Sequence, residues 1–597
     1  MFSDLRSFIE QLEAGGDICR VEARVQSRLE LAEIHRRVIA AGGPALLFEN
    51  VEGSPFRVVT NLFGTEKRVR TAFGDQAREF VAEAARLPEE LMPPDLGKVW
   101  GKRRFFRRVA RVGMKARRTG PVLDHCDESP DLTQLPALTS WSEDGGPFLT
   151  LPLVHTQDPV SGVDNLGMYR IQIFDETTTG LHFQIGKGGG YHYSVAEGRN
   201  ESLPVSIFLG GPPALIVAAI APLPENVPEF LLASLLMQEK LPMVQPRGSS
   251  LAIPAGAEFA LIGEAAPHDR RLEGPFGDHY GYYSLKHDFP VFNCRRLYRR
   301  RDAILPATVV GKPRQEDFFI GDYLQDLLSP LFSVVMPGVK DLWSYGETGY
   351  HSLAAAVVRE RYKREAMTSA FRILGEGQLA LTKFLLVTDH NVDLRDFRAT
   401  LECVLERTDL RCDLFVFPNL SMDTLDYAGP RLNEGSKGVL LGIGEPRREL
   451  PREFEGYVPN GISQVKVFCG GCLVVSGHAF SDDANLAQRV AEEDSLEQWP
   501  LIVLVDDAEV ATRSAVNFLW TTFTRFDPAS DLHWRSVHVF GNQALTDPPV
   551  VIDARKKPLY PDELFCDDET HSLVDRRWQE YFPNGMEMGD SGAGHLD

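Results

Sequence analysis

Two carboxylates separated by a turn of glycine and proline give the strongest chemical signal in this sequence. They belong to Glu273-Gly-Pro-Phe-Gly-Asp278, and an aromatic run, His279-Tyr-Gly-Tyr-Tyr283, follows directly. The two glycines permit unusual backbone angles, and the proline fixes one of them. Such a turn can aim both acids into one cavity, where unlike surroundings separate a proton donor from a carboxylate that stays charged. A solvated turn before a strand over residues 291–297 is the alternative interpretation.

Three side chains between residues 165 and 229 have the chemistry of a metal site. Asn165, His182 and Glu229 together offer an amide oxygen, an imidazole nitrogen and a carboxylate. That set suits Mn²⁺ or Mg²⁺ completed by phosphate and water, although a lone histidine in a sheet is more often structural. Asn165 and Arg170 are five residues apart, which places them on opposite faces of a regular strand. A bend at Gly167 is therefore expected to bring both inward.

The glycine-rich segment Gly186-Lys-Gly-Gly-Gly190 is predicted to be a mobile loop. It lacks the spacing of a P-loop and the Ser or Thr that follows the lysine there. Backbone N–H groups and Lys187 can still cradle a phosphate, and an ordinary loop is the alternative.

The pair Cys469-Gly-Gly-Cys472 lies within residues 465–475, which otherwise have the pattern of one buried strand. Because no second cysteine pair accompanies it, structural thiols are favoured over a zinc or redox site.

Length and charge limit the classes of protein. The 597 residues are 43% apolar and carry a formal charge of −21, which argues against nucleic acid or an anionic membrane as the main partner. The basic segment 98–118 is interpreted as a solvated connecting helix, with polyanion binding as the alternative. We expect no secretory signal and no membrane span, and eight scattered cysteines suit a reducing cytoplasm.

Hydrophobic patterning predicts an α/β (α+β) protein whose middle part is β-barrel-like. There, a hairpin over 168–185, strands over 204–209, 214–220 and 259–263, and a helix over 229–238 are expected. The predicted segments are a small α/β domain (1–95), a basic linker helix and loop (96–148), the barrel-like domain (149–315), an α/β domain (316–445), an α/β extension (446–585) and a disordered tail (586–597).

A duplication is predicted in the C-terminal part of the chain. The buried strand over 383–389 and a similar strand over 501–506 each precede a helix-like segment, at an offset near 117.

Six pieces of the sequence, in order, resemble the UbiD family of reversible decarboxylases, which use prenylated FMN. The resemblance spans about residues 5–440, and a split β-barrel that binds flavin is what it implies for the middle domain. The pieces are Ser142-Glu-Asp-Gly-Gly-Pro-Phe148, Asp164-Asn-Leu-Gly-Met-Tyr-Arg170, His182 with Lys187-Gly-Gly-Gly190, Pro222-Leu-Pro-Glu-Asn-Val-Pro-Glu229, Glu273-Gly-Pro-Phe-Gly-Asp278 and Thr382-Lys-Phe384.

The resemblance implies catalytic roles for Arg170, Glu273 and Asp278. Arg170 would hold the substrate carboxylate, Glu273 would orient Arg170, and Asp278 would protonate the carbon that loses CO₂, for which it needs a raised pKa. Many members have glutamate where this chain has Asp278. The shorter side chain is expected to influence substrate preference.

The resemblance also implies where the cofactor binds. Asn165, His182 and Glu229 match the ligands of the divalent metal that bridges protein and cofactor phosphate, and Lys383 matches a phosphate contact. Further cofactor contacts are Met168, Tyr169, Arg170, Phe183, Gln184, Lys187 and Gly188, and the carbonyls of Ala218, Ala219 and Ala221 match a K⁺ position of some members.

The expected reaction is a non-oxidative, reversible decarboxylation of an aromatic or α,β-unsaturated acid in quinone biosynthesis, with CO₂ as product. The region beyond Gly444 exceeds the shorter members, and such length is associated with menaquinone-type enzymes. Xenobiotic aromatic or cinnamate-like acids are alternative substrates, and an FMN-binding oxidoreductase or a non-enzymatic scaffold are alternative classes. A flavin prenyltransferase is the expected cofactor supplier, and a homodimer or dimer-built hexamer the expected assembly.

Overall fold

The computed structural model describes residues 2–93, 95–184, 188–223, 228–312 and 314–590, with the backbone alone at residue 543. Contacts divide the chain into two compact units. The first contains the residues up to Leu327 together with those from Glu563 onward, and the second is Leu328–Asp562. Both units contain helices and strands, so the predicted mixed α/β class is confirmed.

The first unit begins with helices and strands in alternation and continues with many short strands. Its first elements are α1 (Leu5–Ala14), β1 (Ile18–Val25), α2 (Glu30–Ala40), β2 (Ala45–Val51), β3 (Arg57–Thr60), α3 (Glu66–Phe73), α4 (Asp75–Leu91), α5 (Leu96–Gly101), α6 (Arg103–Val109), β4 (Met114–Arg117) and β5 (His125–Asp127). There follow β6 (Phe148–Leu149), β7 (Leu153–Gln157), β8 (Asp164–Met168), β9 (Ile171–Gln172), β10 (Thr178–Gly180), α7 (Gly188–Gly198), β11 (Leu203–Gly210), α8 (Ala214–Ile220), α9 (Glu229–Met237), β12 (Leu241–Val244), β13 (Ile253–Pro254), β14 (Ala257–Glu273), β15 (Phe276–Gly277), β16 (Tyr283–Ser284), β17 (His287–Arg299) and β18 (Ile304–Pro306). The helix α10 (Glu316–Val335) begins in this unit, and its residues from Leu328 onward are assigned to the second.

Two sheets organise this unit. A four-stranded sheet has the order β1-β2-β3-β18, and an antiparallel sheet has the order β10-β17-β14-β11-β7-β8 with β5 added to β17. Val205, Ile207 and Leu209 alternate along β11 and enter one hydrophobic core, as the two-residue period of a strand requires. The long strand β14 ends at Glu273, and β8 carries Asn165, so this sheet positions both groups of candidate residues.

The segment Ala214–Ile220 is the helix α8, so the strand predicted there is wrong. Pro212 and Pro213 precede it. Proline tolerates the first turn of a helix, and the alanines that follow favour helix, whereas apolar run length alone does not separate a short helix from a strand.

The hairpin predicted over residues 168–185 is reduced to a tight turn. β8 ends at Met168 and pairs with β7, whereas β10 pairs with β17. One isolated bridge, Ile173 to Thr179, joins the two arms. The arms therefore join different neighbours in the sheet instead of each other.

Glycines and basic residues also form elements that differ from expectation. Gly188 to Gly190 begin α7 and are not a loop, while residues 185–187, including Lys187, and residues 224–227 of the Pro222–Glu229 motif lie outside the described residues. The basic segment predicted as one helix comprises α5, α6 and the strand β4.

The second unit contains two successive sets of strands and helices. The first set is β19 (Val339–Ser344), β20 (Leu353–Val358), α11 (Glu365–Ile373), β21 (Phe384–Thr388), α12 (Phe397–Arg407), β22 (Leu414–Ser421) and β23 (Glu434–Gly442). The second set is β24 (Ile462–Cys469), β25 (Cys472–Gly477), α13 (Leu486–Glu492), β26 (Leu501–Val505), α14 (Ala508–Thr512), α15 (Ala515–Thr524), α16 (Pro528–Asp531), β27 (Leu532–Phe540) and β28 (Gln543–Asp553).

The two sets form sheets with the same topology. Their strand orders are β19-β20-β21-β23-β22 and β24-β25-β26-β28-β27. In each sheet the three inner strands are parallel and both edge strands are antiparallel. The first residues of β21 and β26 are 117 apart, so the predicted duplication is present in the fold.

The Cys469-Gly-Gly-Cys472 segment is the turn of a hairpin between β24 and β25, so the single strand predicted there is wrong. Gly471 adopts a φ of 78°, which favours glycine. Both cysteines are buried, and burial raises the pKa of Cys472 far above its usual range, which is what structural thiols show.

From Glu563 the chain belongs to the first unit again. The helix α17 (Asp568–Tyr581) packs Val574, Trp578 and Tyr581 into the core of that unit. The Trp578 Nε1–H donates to the carbonyl of Met586 at 3.0 Å. The predicted extension, 446–585, is therefore divided between the two units: its residues up to Asp562 belong to the second unit, and those from Glu563 belong to the first. The reason is that the apolar face of α17 is buried in the core of the first unit.

Among the described residues, every helix is too short or too polar to cross a bilayer.

Candidate active site

Arg170 lies in the short link between β8 and β9 and is buried. Its Nε donates to Glu273 Oε1 at 2.8 Å, its Nη1 donates to Asp278 Oδ2, and its Nη2 donates to Ser284 Oγ at 3.0 Å. The guanidinium carbon is 4.8 Å from the centre of the Phe276 ring. The structure therefore brings Arg170, Glu273 and Asp278 together as one buried network.

Glu273 joins this network to His182. The Glu273 carboxylate is fully buried, and its Oε2 lies 2.9 Å from His182 Nδ1. Burial raises the pKa of Glu273, but the positive charge of Arg170 and the His182 contact outweigh it and leave this pKa below its usual range. A charged Glu273 fixes both neighbours, and it requires the proton of a neutral His182 to sit on Nδ1.

Asp278 has a lowered pKa, opposite to the expected direction. Its Oδ1 accepts the backbone N–H of His279 at 2.8 Å and lies 2.8 Å from His279 Nδ1. Burial raises the pKa of Asp278, but the His279 hydrogen bond and the Arg170 charge outweigh it and hold the pKa well below its usual range. Without substrate, Asp278 is therefore a carboxylate.

Asp144 supports the turn between the two acids, a contact that sequence reasoning missed. Its Oδ1 accepts the Gly277 N–H at 2.8 Å, and its Oδ2 accepts the N–H groups of Ser140 and Trp141 at 2.8 and 2.9 Å. Burial raises the pKa of Asp144 to about 6. A Cβ at Gly277 would overlap the Trp141 ring, so the turn is held from two sides.

The Glu229 carboxylate contacts the residue that follows Asn165 in β8. The backbone N–H of Leu166 donates to Glu229 Oε2 at 2.8 Å. Burial raises the pKa of Glu229. The amide nitrogen of Asn165 is buried and has no hydrogen-bond partner among the described residues.

The third predicted metal ligand, His182, contacts Glu273 instead. Its Nε2 is buried and has no hydrogen-bond partner within the described part of the chain. No group of three His, Cys, Asp or Glu side chains able to hold a metal occurs there either; the predicted trio includes an amide and falls outside that definition. The role of Asn165, His182 and Glu229 as a metal site remains a prediction.

Gly167 makes room for an aromatic ring and does not bend the strand. β8 keeps a regular register with β7 through Met168, and a Cβ at Gly167 would overlap the Tyr169 ring. The change of direction that the spacing of Asn165 and Arg170 requires comes after Met168, where β8 ends.

Tyr169 and Phe183 form an aromatic wall beside the start of α7. Their ring centres are 5.2 Å apart in an edge-to-face contact, and the Gly189 N–H donates to the Tyr169 hydroxyl at 3.2 Å. Burial raises the pKa of Tyr169 to about 12. A Cβ at Gly188 would overlap Asn165 Oδ1, so the α7 backbone approaches Asn165 closely.

The remaining predicted contacts are spread over the chain. Met168 and Gln184 are half-buried in the first unit. The carbonyls of Ala218 and Ala221 lie at the C-terminal end of α8 and accept the N–H groups of Ala221 and Leu223 at 3.3 and 2.8 Å. Their K⁺ role, with Ala219, remains a prediction.

Lys383 belongs to the second unit. Its Nζ is buried and lies 2.8 Å from Asp426 Oδ2. Its contact with a cofactor phosphate remains a prediction.

Family models identify the class of protein. Models of the N-terminal, Rift-related and C-terminal domains of 3-octaprenyl-4-hydroxybenzoate carboxy-lyase match residues 9–87, 114–313 and 318–442. The chain belongs to the UbiD family of carboxy-lyases.

Curated relatives match over long stretches. An uncharacterized protein of Chlamydia trachomatis is 52% identical over 98% of this chain and 100% of its own. A protein of Chlamydia pneumoniae, named as one of the subunits of a 4-hydroxybenzoate decarboxylase, is 50% identical over 98% and 99%. A protein of Archaeoglobus fulgidus is 34% identical over 77% of this chain and 95% of its own.

Solved structures share the fold. Vanillic acid decarboxylase of Sedimentibacter hydroxybenzoicus in its closed form has a TM-score of 0.66 at 24% identity, covering 77% of this chain and 96% of that one. The UbiD-class enzyme HmfF from Pelotomaculum thermopropionicum, in complex with FMN, has a TM-score of 0.61 at 22% identity, covering 77% and 98%.

Proposed function

We propose that this carboxy-lyase decarboxylates a hydroxylated aromatic acid with the help of prenylated FMN, as a step of quinone biosynthesis. The single observation that carries the proposal is Arg170, a buried cation held between Glu273 and Asp278. The name of the Chlamydia pneumoniae relative, which refers to 4-hydroxybenzoate decarboxylase, supports the substrate class. HmfF structures in complex with FMN and with prenylated FMN support the cofactor.

The first unit offers a fitting place for the phosphate end of such a cofactor. Among the described residues, the amide nitrogen of Asn165 and Nε2 of His182 are buried without a hydrogen-bond partner, and Glu229 is a half-buried carboxylate. We propose that the amide oxygen of Asn165, the Glu229 carboxylate and the His182 ring nitrogen hold Mn²⁺ or Mg²⁺, ions that such donors suit. When bound, prenylated FMN supplies an electron sink for the charge left as CO₂ departs.

Arg170 binds the substrate carboxylate as a charge-assisted pair in this proposal. Glu273 keeps the guanidinium in place by accepting a hydrogen bond from Arg170 Nε. Because Glu273 also contacts His182, the orientation of the arginine is tied to the side chain that is proposed to hold the metal. Burial of the network excludes water and strengthens these charge interactions.

Asp278 receives its proton only when substrate is present. A bound carboxylate compensates Arg170 and repels the Asp278 carboxylate, so both effects raise the pKa of Asp278. His279 Nδ1, 2.8 Å from Asp278 Oδ1, then passes a proton to that oxygen. Asp278 in turn donates it to the carbon that has lost CO₂, and His279 regains a proton from solvent. The low pKa of the free site is thus compatible with a proton donor in the complex.

The test is Asp278→Asn in protein co-expressed with a flavin prenyltransferase. We expect unchanged flavin content and a loss of about 10² to 10⁴ in turnover, because the donor is removed while the cofactor contacts remain. Asp288→Asn, at an exposed position of β17, should behave as wild type. Near-normal turnover of Asp278→Asn would refute the assignment.

The same preparations separate the proposal from its alternatives. CO₂ release from hydroxybenzoates, naphthoates and acrylates ranks the substrate classes, and metal analysis identifies the ion. If mass spectrometry identifies plain FMN and a nicotinamide reduces that flavin, the protein is better explained as an oxidoreductase. A preparation without flavin would favour a scaffold. All eight cysteines are free, which supports a cytoplasmic setting, and a homodimer or hexamer is the assembly we propose.

A further inference from the structure

A basic–apolar surface, residues 96–118, stands out on the first unit. Between residues 96 and 118 there are ten lysines and arginines and no acidic residue, in a chain whose net charge is −21. Leu96 is 90% exposed and Trp100 is 70% exposed. Phe106 and Val109 are also exposed. Exposed apolar and cationic side chains thus occur together along this segment.

The opposite side of this segment is already used for packing. Phe105 stacks on Phe80 of α4 with ring centres 4.7 Å apart, and Lys102 pairs with Glu90. The Gly113 N–H donates to Ser234 Oγ of α9 at 2.9 Å. These contacts hold the segment in one orientation, so its exposed face is a fixed surface.

Most cations of this surface have no carboxylate partner. Within the described residues, only Lys102 and Arg108 pair with acidic side chains, both on α4. For the other eight, no ion pair is formed with any part of the chain that the structure describes. Side chains left unpaired in this way are available to an external anion, and they lie beside apolar groups that gain from leaving water.

These two properties together fit an anionic lipid surface. A membrane-bound helix places Trp, Phe and Leu at the headgroup level while lysines and arginines contact lipid phosphates. The net charge of the whole chain does not oppose this locally, because charges more than about 8–10 Å away are screened in physiological salt. A site for nucleic acid explains the cations but not the exposure of Leu96 and Val109.

A second copy of this chain is a poor occupant of the surface. A symmetric contact would place the same patch on both copies, and the eight cations without a carboxylate partner would then face the same eight on the other copy. Like charges opposed in this way cost binding free energy.

We propose that the basic–apolar surface docks the protein reversibly on anionic phospholipid bilayers, with Leu96 and Trp100 entering the headgroup layer. Arg104, Arg107 and Arg111 contact lipid phosphates. The chain lies on the membrane and does not cross it. This proposal stands independently of the substrate and cofactor proposed above.

The test is flotation of the full-length protein with vesicles of phosphatidylcholine containing phosphatidylglycerol, and with phosphatidylcholine alone. We expect binding to the anionic vesicles that falls as salt rises. Arg104→Gln/Arg107→Gln/Arg111→Gln should weaken binding about a hundredfold, and Leu96→Ser/Trp100→Ser at least about tenfold. Val160→Ser, 70% exposed elsewhere on the first unit, and Lys363→Gln, exposed on the second, are matched controls that should bind normally.

Brominated lipid gives a readout that does not depend on those multiple variants. It should quench part of the tryptophan fluorescence of the wild type, and Trp100→Phe should abolish that part. No preference for anionic vesicles, or equal quenching in Trp100→Phe, would overturn the proposal. If the protein binds duplex nucleic acid and not vesicles, the proposal is overturned in favour of a polyanion site. If it does not bind vesicles but self-associates, and the same variants abolish that self-association, the proposal is overturned in favour of a contact between copies.

Discussion

Asp144 is the residue that holds Asp278 in place without touching it. It accepts three backbone N–H groups, including that of Gly277, the residue before Asp278. An asparagine has one acceptor oxygen instead of two, so Asp144→Asn leaves at least one of these donors facing an NH₂ group. We expect kcat to fall about ten- to a hundredfold with flavin content and KM little changed, because small displacements of a reacting group are costly.

Steady-state kinetics of the reconstituted enzyme checks this. Asp158→Asn is the matched control, since Asp158 accepts the Val160 N–H at 2.8 Å in an exposed loop, and it should keep full activity. A kcat of Asp144→Asn equal to that of the wild type would show that the Trp141 packing alone positions the turn.

At this scale the sequence predicts which side chains meet but not their protonation. The spacing of Glu273 and Asp278, with the family resemblance, predicts a network that includes Arg170, and the structure has these contacts. The pKa direction of Asp278 could not be predicted, because it depends on the position of His279. The contacts of Asp144 were missed because a carboxylate that binds backbone N–H groups needs no particular partner residue type.

The helix α7 begins with three glycines, and a Cβ at any of them would lie too close to a neighbouring atom. A Cβ at Gly188 would overlap Asn165 Oδ1, and one at Gly189 would lie 2.8 Å from the Phe183 ring. We therefore expect Gly188→Ala to displace Asn165 and to lower the flavin content of the purified protein at least severalfold, measured by absorbance. Gly198→Ala, at the other end of α7, meets nothing within 4 Å and should bind flavin normally. Equal flavin in both variants would contradict the close approach of α7 to Asn165.

The first turn of α10 contains a buried acid that makes stability depend on pH. Burial raises the pKa of Glu316 to about 7, although its oxygens accept the N–H groups of Phe63 and Asn61 at 2.8 and 3.2 Å. Between the unfolded pKa and about 7 the folded state holds a proton that the unfolded state has lost. Stability therefore falls as pH rises through this window, by up to about 1.4 kcal/mol per pH unit.

Denaturant unfolding measured from pH 5 to 8 checks this slope. Glu316→Gln removes the titrating group and should flatten the slope, whatever its effect on stability at a single pH. Glu79→Gln, exposed on α4, should leave it as in the wild type. A slope unchanged by Glu316→Gln would mean that other buried acids, such as Asp144, account for it.

Elements with a clear period were predictable, and short apolar runs were not. The helix α9 and the strands β11, β21 and β26 lie close to where the pattern places them. Ala214–Ile220 is apolar throughout and buried on most of its surface, so neither a two-residue nor a 3.6-residue period distinguishes strand from helix there. Likewise, the Gly470-Gly471 turn between β24 and β25 interrupts an apolar run too short to reveal a hairpin.

On the scale of the whole molecule, the part of the chain beyond the family models repeats the part before it. The C-terminal domain model ends at residue 442, and the second sheet, β24 to β28, follows with the same strand order as the first. The sequence predicts this repeat from two strands at an offset of 117, because buried parallel strands keep their apolar pattern. It could not predict that both sheets contribute to one core, since that depends on which faces meet.

That shared core makes the two halves of the second unit dependent on each other. Phe397 of α12 contacts Phe468 of β24 and Phe518 of α15, with ring centres 6.1 and 5.9 Å apart. All three rings lie in one hydrophobic cluster with members from both sheets. A void of only about 20 Å³ lies elsewhere in the same core, lined by residues that include Phe384, Leu440 and Phe523. A well-filled core relaxes little when a ring is removed, so the cost of a cavity there is close to its full value.

We therefore expect Phe397→Ala to destabilise both halves together, by about 3–5 kcal/mol. Denaturant unfolding followed by hydrogen exchange should show β21 and β26 losing protection to the same extent, because each sheet buries its face against residues supplied by the other half. Phe371→Ala, on α11 and 56% exposed, removes the same ring from the outer side and should cost far less. Loss of protection confined to β21 would mean that the second sheet folds on a core of its own, and the repeat would then be an independent addition to the family fold.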